Sequence, residues 1–271
     1  MRQYYILAGL GFIAVTLAVS PAHADLVALW HFDEPTGILV GDSANGHHGT
    51  ATPDIVPSTD RPFLPAGNAM SRSFPGDFSA GHISVPDHGD LDLTGDFTIE
   101  AWIKRGSTGH SGHIVNKHMH SAPSGGSWGL EAPSQGRLSF YVARGLGIPN
   151  INVPSEIGAV PASQWVHIAF SYFEPSDHYD FYVDGDPAGS GTAGIAGLIG
   201  DTPFDLWFGS VNADWERSSF DGKMDEVQIW NECRSQDDVR LDMGIPEPVS
   251  LVSGLIALGM VGTYMRKRGL A

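Results

Sequence analysis

The sequence predicts an all-β fold, an antiparallel β-sandwich, on three observations. Short stretches of period-two alternation recur along the chain. Gly and Pro, 34 and 18 of them in 271 residues, punctuate those stretches as turn residues do. No long segment shows the 3.6-residue period of an amphipathic helix. With 42% hydrophobic residues the chain has enough apolar side chain for a packed core.

The elements follow in chain order. Met1 and Arg2 precede an apolar run over 6–19, and Pro21-Ala22-His23-Ala24 closes it with a small-x-small site. Residues 1–24 therefore read as a secretory signal peptide, cut after Ala24 by signal peptidase. Strands are expected at 26–32, 82–85, 97–104, 114–116, 128–131, 138–142, 166–172, 180–183, 204–208 and 225–230. In 97–104 the alternation sets Phe97, Ile99, Ala101 and Ile103 on one face, with Trp102 on the other. Asp184-Gly185 is a hairpin signal. The one helical signature is Ser235-Gln236-Asp237-Asp238-Val239, with Ser235 as N-cap and Asp238 in a capping-box place. Nothing divides 25–245, so it reads as a single domain. The remaining 246–271 begins with Pro246-Glu247-Pro248. An uncharged stretch at about 249–265 comes next, a single apolar helix just long enough to span a bilayer core, and then Arg266-Lys267-Arg268. That basic cluster holds the tail on the cytoplasmic side, so the domain before it faces outward.

Charge and cysteine narrow the function. Lys and Arg number 15 against 31 Asp and Glu, a net charge of −16. Setting aside Arg2, Glu247, Arg266, Lys267 and Arg268 leaves the 25–245 body at −19. Such a surface disfavours nucleic acid and favours a cation partner. One cysteine, Cys233, rules out an intramolecular disulfide framework and a Cys-based zinc cluster.

Several stretches resemble a known family. Leu26-Val27-Ala28-Leu29-Trp30-His31-Phe32-Asp33-Glu34 and the Asp42-Ser43-Ala44-Asn45-Gly46 loop resemble the opening of laminin G-like, concanavalin A-like jelly-roll domains. Phe97-Thr98-Ile99-Glu100-Ala101-Trp102 resembles a strand of that family, as do Trp165-Val166-His167, Tyr182-Val183-Asp184-Gly185 and Met224-Asp225-Glu226-Val227. The resemblance implies a jelly-roll sandwich acting as a binding or structural module. The C-terminal end, Pro-Glu-Pro with an apolar helix and an Arg-rich stop, resembles a PEP-CTERM sorting signal. That implies a Gram-negative bacterium, transient anchoring in the inner membrane, cutting by an exosortase, and release to the cell surface or extracellular matrix. An ordinary single-pass tail anchor is the alternative reading of the same segment.

Catalytic motifs are missing from the sequence. Glucanases on the resembled fold carry Glu-x-Asp-x-x-Glu or a close variant, and no such run occurs. Asp225-Glu226 are adjacent, and strand alternation sends them to opposite faces. Cys233 beside Arg234 reads as a structural thiol, and there is no Gly-x-Ser-x-Gly elbow. The expectation is a non-catalytic module that binds polysaccharide or a surface protein. A polysaccharide hydrolase or lyase and a ligand-free matrix protein are the alternatives.

Calcium is the expected cofactor, a hard ion drawing on carboxylate and carbonyl oxygens. The resemblance implies Asp42 and Asp225 as side-chain ligands and Asn45 as a third oxygen donor. The competing reading is an Asx-turn closed by Asp42 without an ion. His110, His113, His118 and His120 read as a soft metal site or as a polar surface hairpin. Trp30, Trp165 and Trp230 read as packing residues, and Trp102, Trp128 and Trp207 as core or sheet-face residues. Trp215, in Asn212-Ala213-Asp214-Trp215-Glu216-Arg217, is the expected exposed platform for a sugar ring.

Overall fold

Phe97, Ile99, Ala101 and Ile103 are all fully buried, as their alternation requires, and the strand that carries them is the centre of one of two stacked sheets. The computed structural model describes residues 25–64, 67–76, 81–106, 112–118, 125–133, 135–145, 147–211 and 219–244. Among these the strands run β1 (Leu26–Trp30), β2 (Leu39–Val40), β3 (Gly49–Ala51), β4 (Val56–Ser58), β5 (Ser71–Pro75) and β6 (Ile83–Val85). Next come β7 (Phe97–Arg105), β8 (Gly112–Lys117), β9 (Trp128–Ala132), β10 (Ser139–Val142) and β11 (Ile151–Pro154). The last are β12 (Trp165–Phe173), β13 (His178–Val183), β14 (Asp186–Thr192), β15 (Leu206–Phe208) and β16 (Asp221–Trp230), followed by helix α1 (Gln236–Asp242).

The first sheet has the order β14-β13-β12-β7-β16-β5-β4, with β1 also paired to β16. The second runs β11-β10-β9-β8-β15-β6-β3-β2. Every ladder in both is antiparallel, which makes the body a two-sheet sandwich of jelly-roll type. Phe97, Phe140 and Phe170 fill the gap between the sheets, Phe140 and Phe170 stacked at 4.3 Å between centroids. Trp30 and Trp128 lie in the same core.

Two turn signals act as expected. Asp184 and Gly185 both take positive φ, 51° and 74°, and join β13 to β14. Ser235 caps α1 in a full capping box with Asp238. Six strands fall where the sequence suggested none: β2, β3, β4, β5, β11 and β14. They are short or rich in Gly, Pro and Ser, and neighbouring strands hold them in place. Strand β1 stops at Trp30, short of the expected 32, because Phe32 turns to φ 57°.

Ala24, Trp215, Pro246, Glu247, Pro248, Arg266, Lys267 and Arg268 lie outside the described residues. No helix among the described residues is long and apolar enough to cross a membrane, and the expected span at about 249–265 is not among them.

Candidate functional site

Two regions carry chemistry. The first is a buried carboxylate on β16. Glu226 sits at φ 47°, and there the register with β7 slips between Asp225 and Gln228, which makes a β-bulge. The bulge breaks the alternation that the sequence suggested for Asp225 and Glu226. Asp225 is fully buried, and Glu226 turns to His31, whose Nδ1 lies 2.9 and 2.8 Å from its two carboxylate oxygens. That bond, with the surrounding acidic charge, raises the His31 pKa against the opposing effect of burial.

Asp225 receives one hydrogen bond from Asn68 Nδ2, at 2.6 Å, and one from the Glu226 N–H, at 3.0 Å. Burial pushes its carboxyl up to about 8, and the charges of Glu226 and Asp33 push in the same direction. Asn68 Oδ1 is buried beside it without a hydrogen-bond partner. Asp33 holds the segment that carries Asn68, its Oδ1 accepting from the N–H groups of Ala69 and Met70 at 2.8 Å each. Asp225 and Asn68 thus set a carboxyl and an unpartnered amide oxygen next to each other, with the Asp33 charge acting on Asp225, oxygen donors of the kind a hard cation takes.

The Asp42 loop is built differently. Asp42 Oδ1 accepts from Leu29 and Ala44 N–H, and Oδ2 from Asn45 and His47 N–H. These four bonds, the largest influences after burial, hold its pKa below the usual value. Asn45 Nδ2 donates to the Leu26 and Val27 carbonyls. Asp42 and Asn45 therefore close an Asx-type turn, and the contacts of Asp225 come from neither. Expecting all three around one ion did not foresee Asn68, which is 157 positions from Asp225 in sequence. An amide brought to Asp225 on a segment pinned by Asp33 leaves no local signal.

The second region is the outer face of the second sheet. Strand register sets Asn152, Tyr141, Gly129, Asn116, Trp207, Ser84 and Thr50 in one row across seven strands. The Tyr141 ring lies on Gly129, where an added Cβ would come within 2.5 Å of ring carbons. Trp207 stacks on His82, centroids 3.6 Å apart and planes 3° from parallel. Between the two aromatics, Asn116 donates from Nδ2 to the Ser210 carbonyl. His113 and His118 each meet the Tyr141 ring edge-on, at 5.7 and 5.6 Å, while His110 and His120 lie outside the described residues. Alternation over 206–208 hinted at this face, since Leu206 and Phe208 are buried and Trp207 points away from them.

The other described tryptophans are occupied. Trp30 Nε1 donates to the His47 carbonyl, Trp165 Nε1 to Asp60, and Trp230 carries the Arg234 guanidinium 3.8 Å above its ring. Trp102 packs against the small cluster under α1. Cys233 is half-buried at the end of a bond from Ser171 Oγ, and burial raises its thiol pKa, the opposite of what a nucleophile needs.

Residues 75–240 match the concanavalin A-like lectin/glucanases superfamily, in its laminin G branch. The chain belongs to that superfamily. No curated protein is similar enough in sequence to match it. Among solved structures, the fold is similar to the binding domain of Paraclostridial Mosquitocidal Protein 1, at TM-score 0.61 and 15% identity over 81% of this chain and 52% of that one. The botulinum neurotoxin serotype D binding domain gives TM-score 0.59 and 10% identity, over 81% and 51% of the two chains. Domain 4 of AbnA, an extracellular GH43 arabinanase from Geobacillus stearothermophilus solved with arabinotriose, gives 0.58 and 20%, over 80% and 97%. The superfamily member described here spans about half the length of the toxin domains and nearly all of the arabinanase domain.

Proposed function

We propose that this chain is an exported, surface-sorted, non-catalytic module that binds polysaccharide on the outer face of its second sheet. The observation that carries the reading is the row from Asn152 to Ser84, which places the half-buried Trp207 and the largely buried Tyr141 on one face, with the exposed Asn152 amide beside them and the fully buried Asn116 between. Aromatic faces stack on sugar rings, and amides take the hydroxyls. The arabinanase domain, similar over nearly its whole length and solved with arabinotriose, supports a sugar as ligand. Residues 1–24 and 246–271 support export and sorting, with signal peptidase and an exosortase as processing partners. We further propose calcium as a structural cofactor, held by Asp225 and Asn68 with Asp33 beside them, where it would supply the positive charge the buried carboxylate lacks.

A glycan array probed with the secreted protein in calcium tests the binding. Trp207→Ala is expected to weaken the strongest hit about 30-fold, near the 2 kcal/mol lost at an aromatic hot spot. A blank array overturns the sugar reading, equal binding by Trp207→Ala overturns its placement on this face, and release of reducing ends from a β-glucan panel overturns the non-catalytic one. Mass spectrometry of the mature protein tests the sorting, which a form retaining 251–270 overturns.

A further inference from the structure

Among the described residues, the proposed ligand row and calcium site leave one cluster of metal-binding side chains unused. His47 follows the Asp42 turn, and its backbone is held at both ends: its N–H donates to Asp42 Oδ2 and its carbonyl accepts from Trp30 Nε1. Its side chain is only 8% exposed, and Nε2 is buried with no hydrogen-bond partner. That nitrogen lies 3.7 Å from Asp90 Oδ2, too far for a hydrogen bond. His88 Nδ1 lies 3.3 Å from the same oxygen, and the two imidazole centroids are 4.7 Å apart. The ligand atoms of all three residues fall within 4.8 Å of one another.

We propose that His47, His88 and Asp90 form a binding site for a zinc-class divalent ion. Ligands at about 2.0–2.1 Å around a tetrahedral centre sit roughly 3.3 Å from each other, so the two measured contacts to Asp90 are nearly those of an assembled site. Two imidazoles and one carboxylate suit a borderline ion better than calcium, which takes oxygen. A proton on either histidine could bridge one pair, but an ion meets all three acceptors together. Three protein ligands leave a fourth position open. Asp90 also lines a cleft of about 480 Å³ with Asp25, Asn45, Asp92 and Asn231. The His88 Nδ1 lone pair meets the Asp90 N–H at 3.3 Å, a long bond that holds the ring beside the carboxylate and that ligation of an ion would replace.

Zinc titration of the chelator-stripped full chain by calorimetry tests the site, with cobalt absorption as a second reading. One ion per chain is expected, together with the visible bands of four-coordinate cobalt. His88→Ala, at an exposed position, and His47→Ala should each weaken zinc at least tenfold and remove the cobalt bands, while His178→Ala should change neither. Equal melting temperatures in chelator establish that a variant is folded, and if His47→Ala fails that control, His88→Ala decides. Zinc bound as tightly by His88→Ala as by the parent places the ion on other histidines and overturns the proposal. So does a parent chain that binds no zinc.

Discussion

Glu100 and Asp225 are both fully buried carboxylates on neighbouring strands of the first sheet, and burial pushes both up to about 8. Their partners differ. Glu100 Oε1 accepts from Arg234 Nε at 3.0 Å, and its Oε2 lies 3.4 Å from His167 Nε2. Arg234 spreads its remaining donors over Glu232, Asp242 and the Asp238 carbonyl and rests on the Trp230 ring. Asp225 has an amide, an N–H and two further carboxylates around it. Elsewhere Lys117 is buried between Asp87 and Asp92, and Arg72 is buried against Glu34. A buried carboxylate with its own cation has its charge paired within the fold, although Glu100 Oε2 has no hydrogen-bond partner. One that lacks a cation must carry a proton or take a cation from solvent, which is the physical case for calcium at Asp225.

The largest expected effect breaks the complete side of this pair. Arg234→Met should destabilise the protein by about 3–5 kcal/mol, because it strands Glu100 in the interior. Denaturant unfolding measures it, and adding Glu100→Gln should restore much of the loss. A single-variant loss below about 1 kcal/mol would mean that Glu100 is already neutral and the two carboxylates are alike.

Calcium removal tests the incomplete side. At an ion concentration a hundredfold above Kd, binding adds about 2.7 kcal/mol, so chelator should lower the melting temperature by several degrees. Asp225→Asn should be insensitive to chelator, and an unmoved parent melt removes calcium from the account. pH sharpens the same contrast. The Asp225 carboxyl titrates near 8 when folded, against an ordinary 3.8. Its neutral form is therefore favoured by folding, and that stabilisation is complete below the ordinary value and lost as pH rises through about 8. In chelator, the parent should lose stability relative to Asp225→Asn between about pH 4 and pH 8. Calcium, which binds the ionised form, should cancel that slope.

How far the sequence reveals such differences depends on the range over which each feature is specified. The alternation of Phe97–Ile103, the Asp184-Gly185 turn and the Ser235–Asp238 box are local, and each stands where its pattern puts it. Strand β14, Asp-Pro-Ala-Gly-Ser-Gly-Thr, reads as a loop and becomes a strand only because β13 offers it a ladder. Asp225 is legible as the acid of the last long strand. Asn68 is not, because it meets Asp225 through folding alone. The aromatic row on the second sheet depends on the registers of seven strands, and a one-residue slip in any of them would scatter it.

The smallest expected effect concerns α1, which carries Asp242 and Asp238 over the Glu100 side of the sheet. Ser235 Oγ accepts from the Asp238 N–H at 3.3 Å, and Asp238 Oδ2 accepts from the Ser235 N–H at 2.9 Å. Ser235→Ala removes the first of these and should cost about 1 kcal/mol, the usual worth of an N-cap. The helix also seats Val239 and Met243 against Ala169 and Tyr182, so it should loosen without detaching. Hydrogen exchange should then rise in α1 and at Arg234, whose N–H donates to Thr98 Oγ1, while the Asp225 bulge keeps its protection and its response to calcium. Exchange rising equally at both carboxylates would show that they belong to one cooperative unit, and the contrast between them would then be one of charge pairing alone.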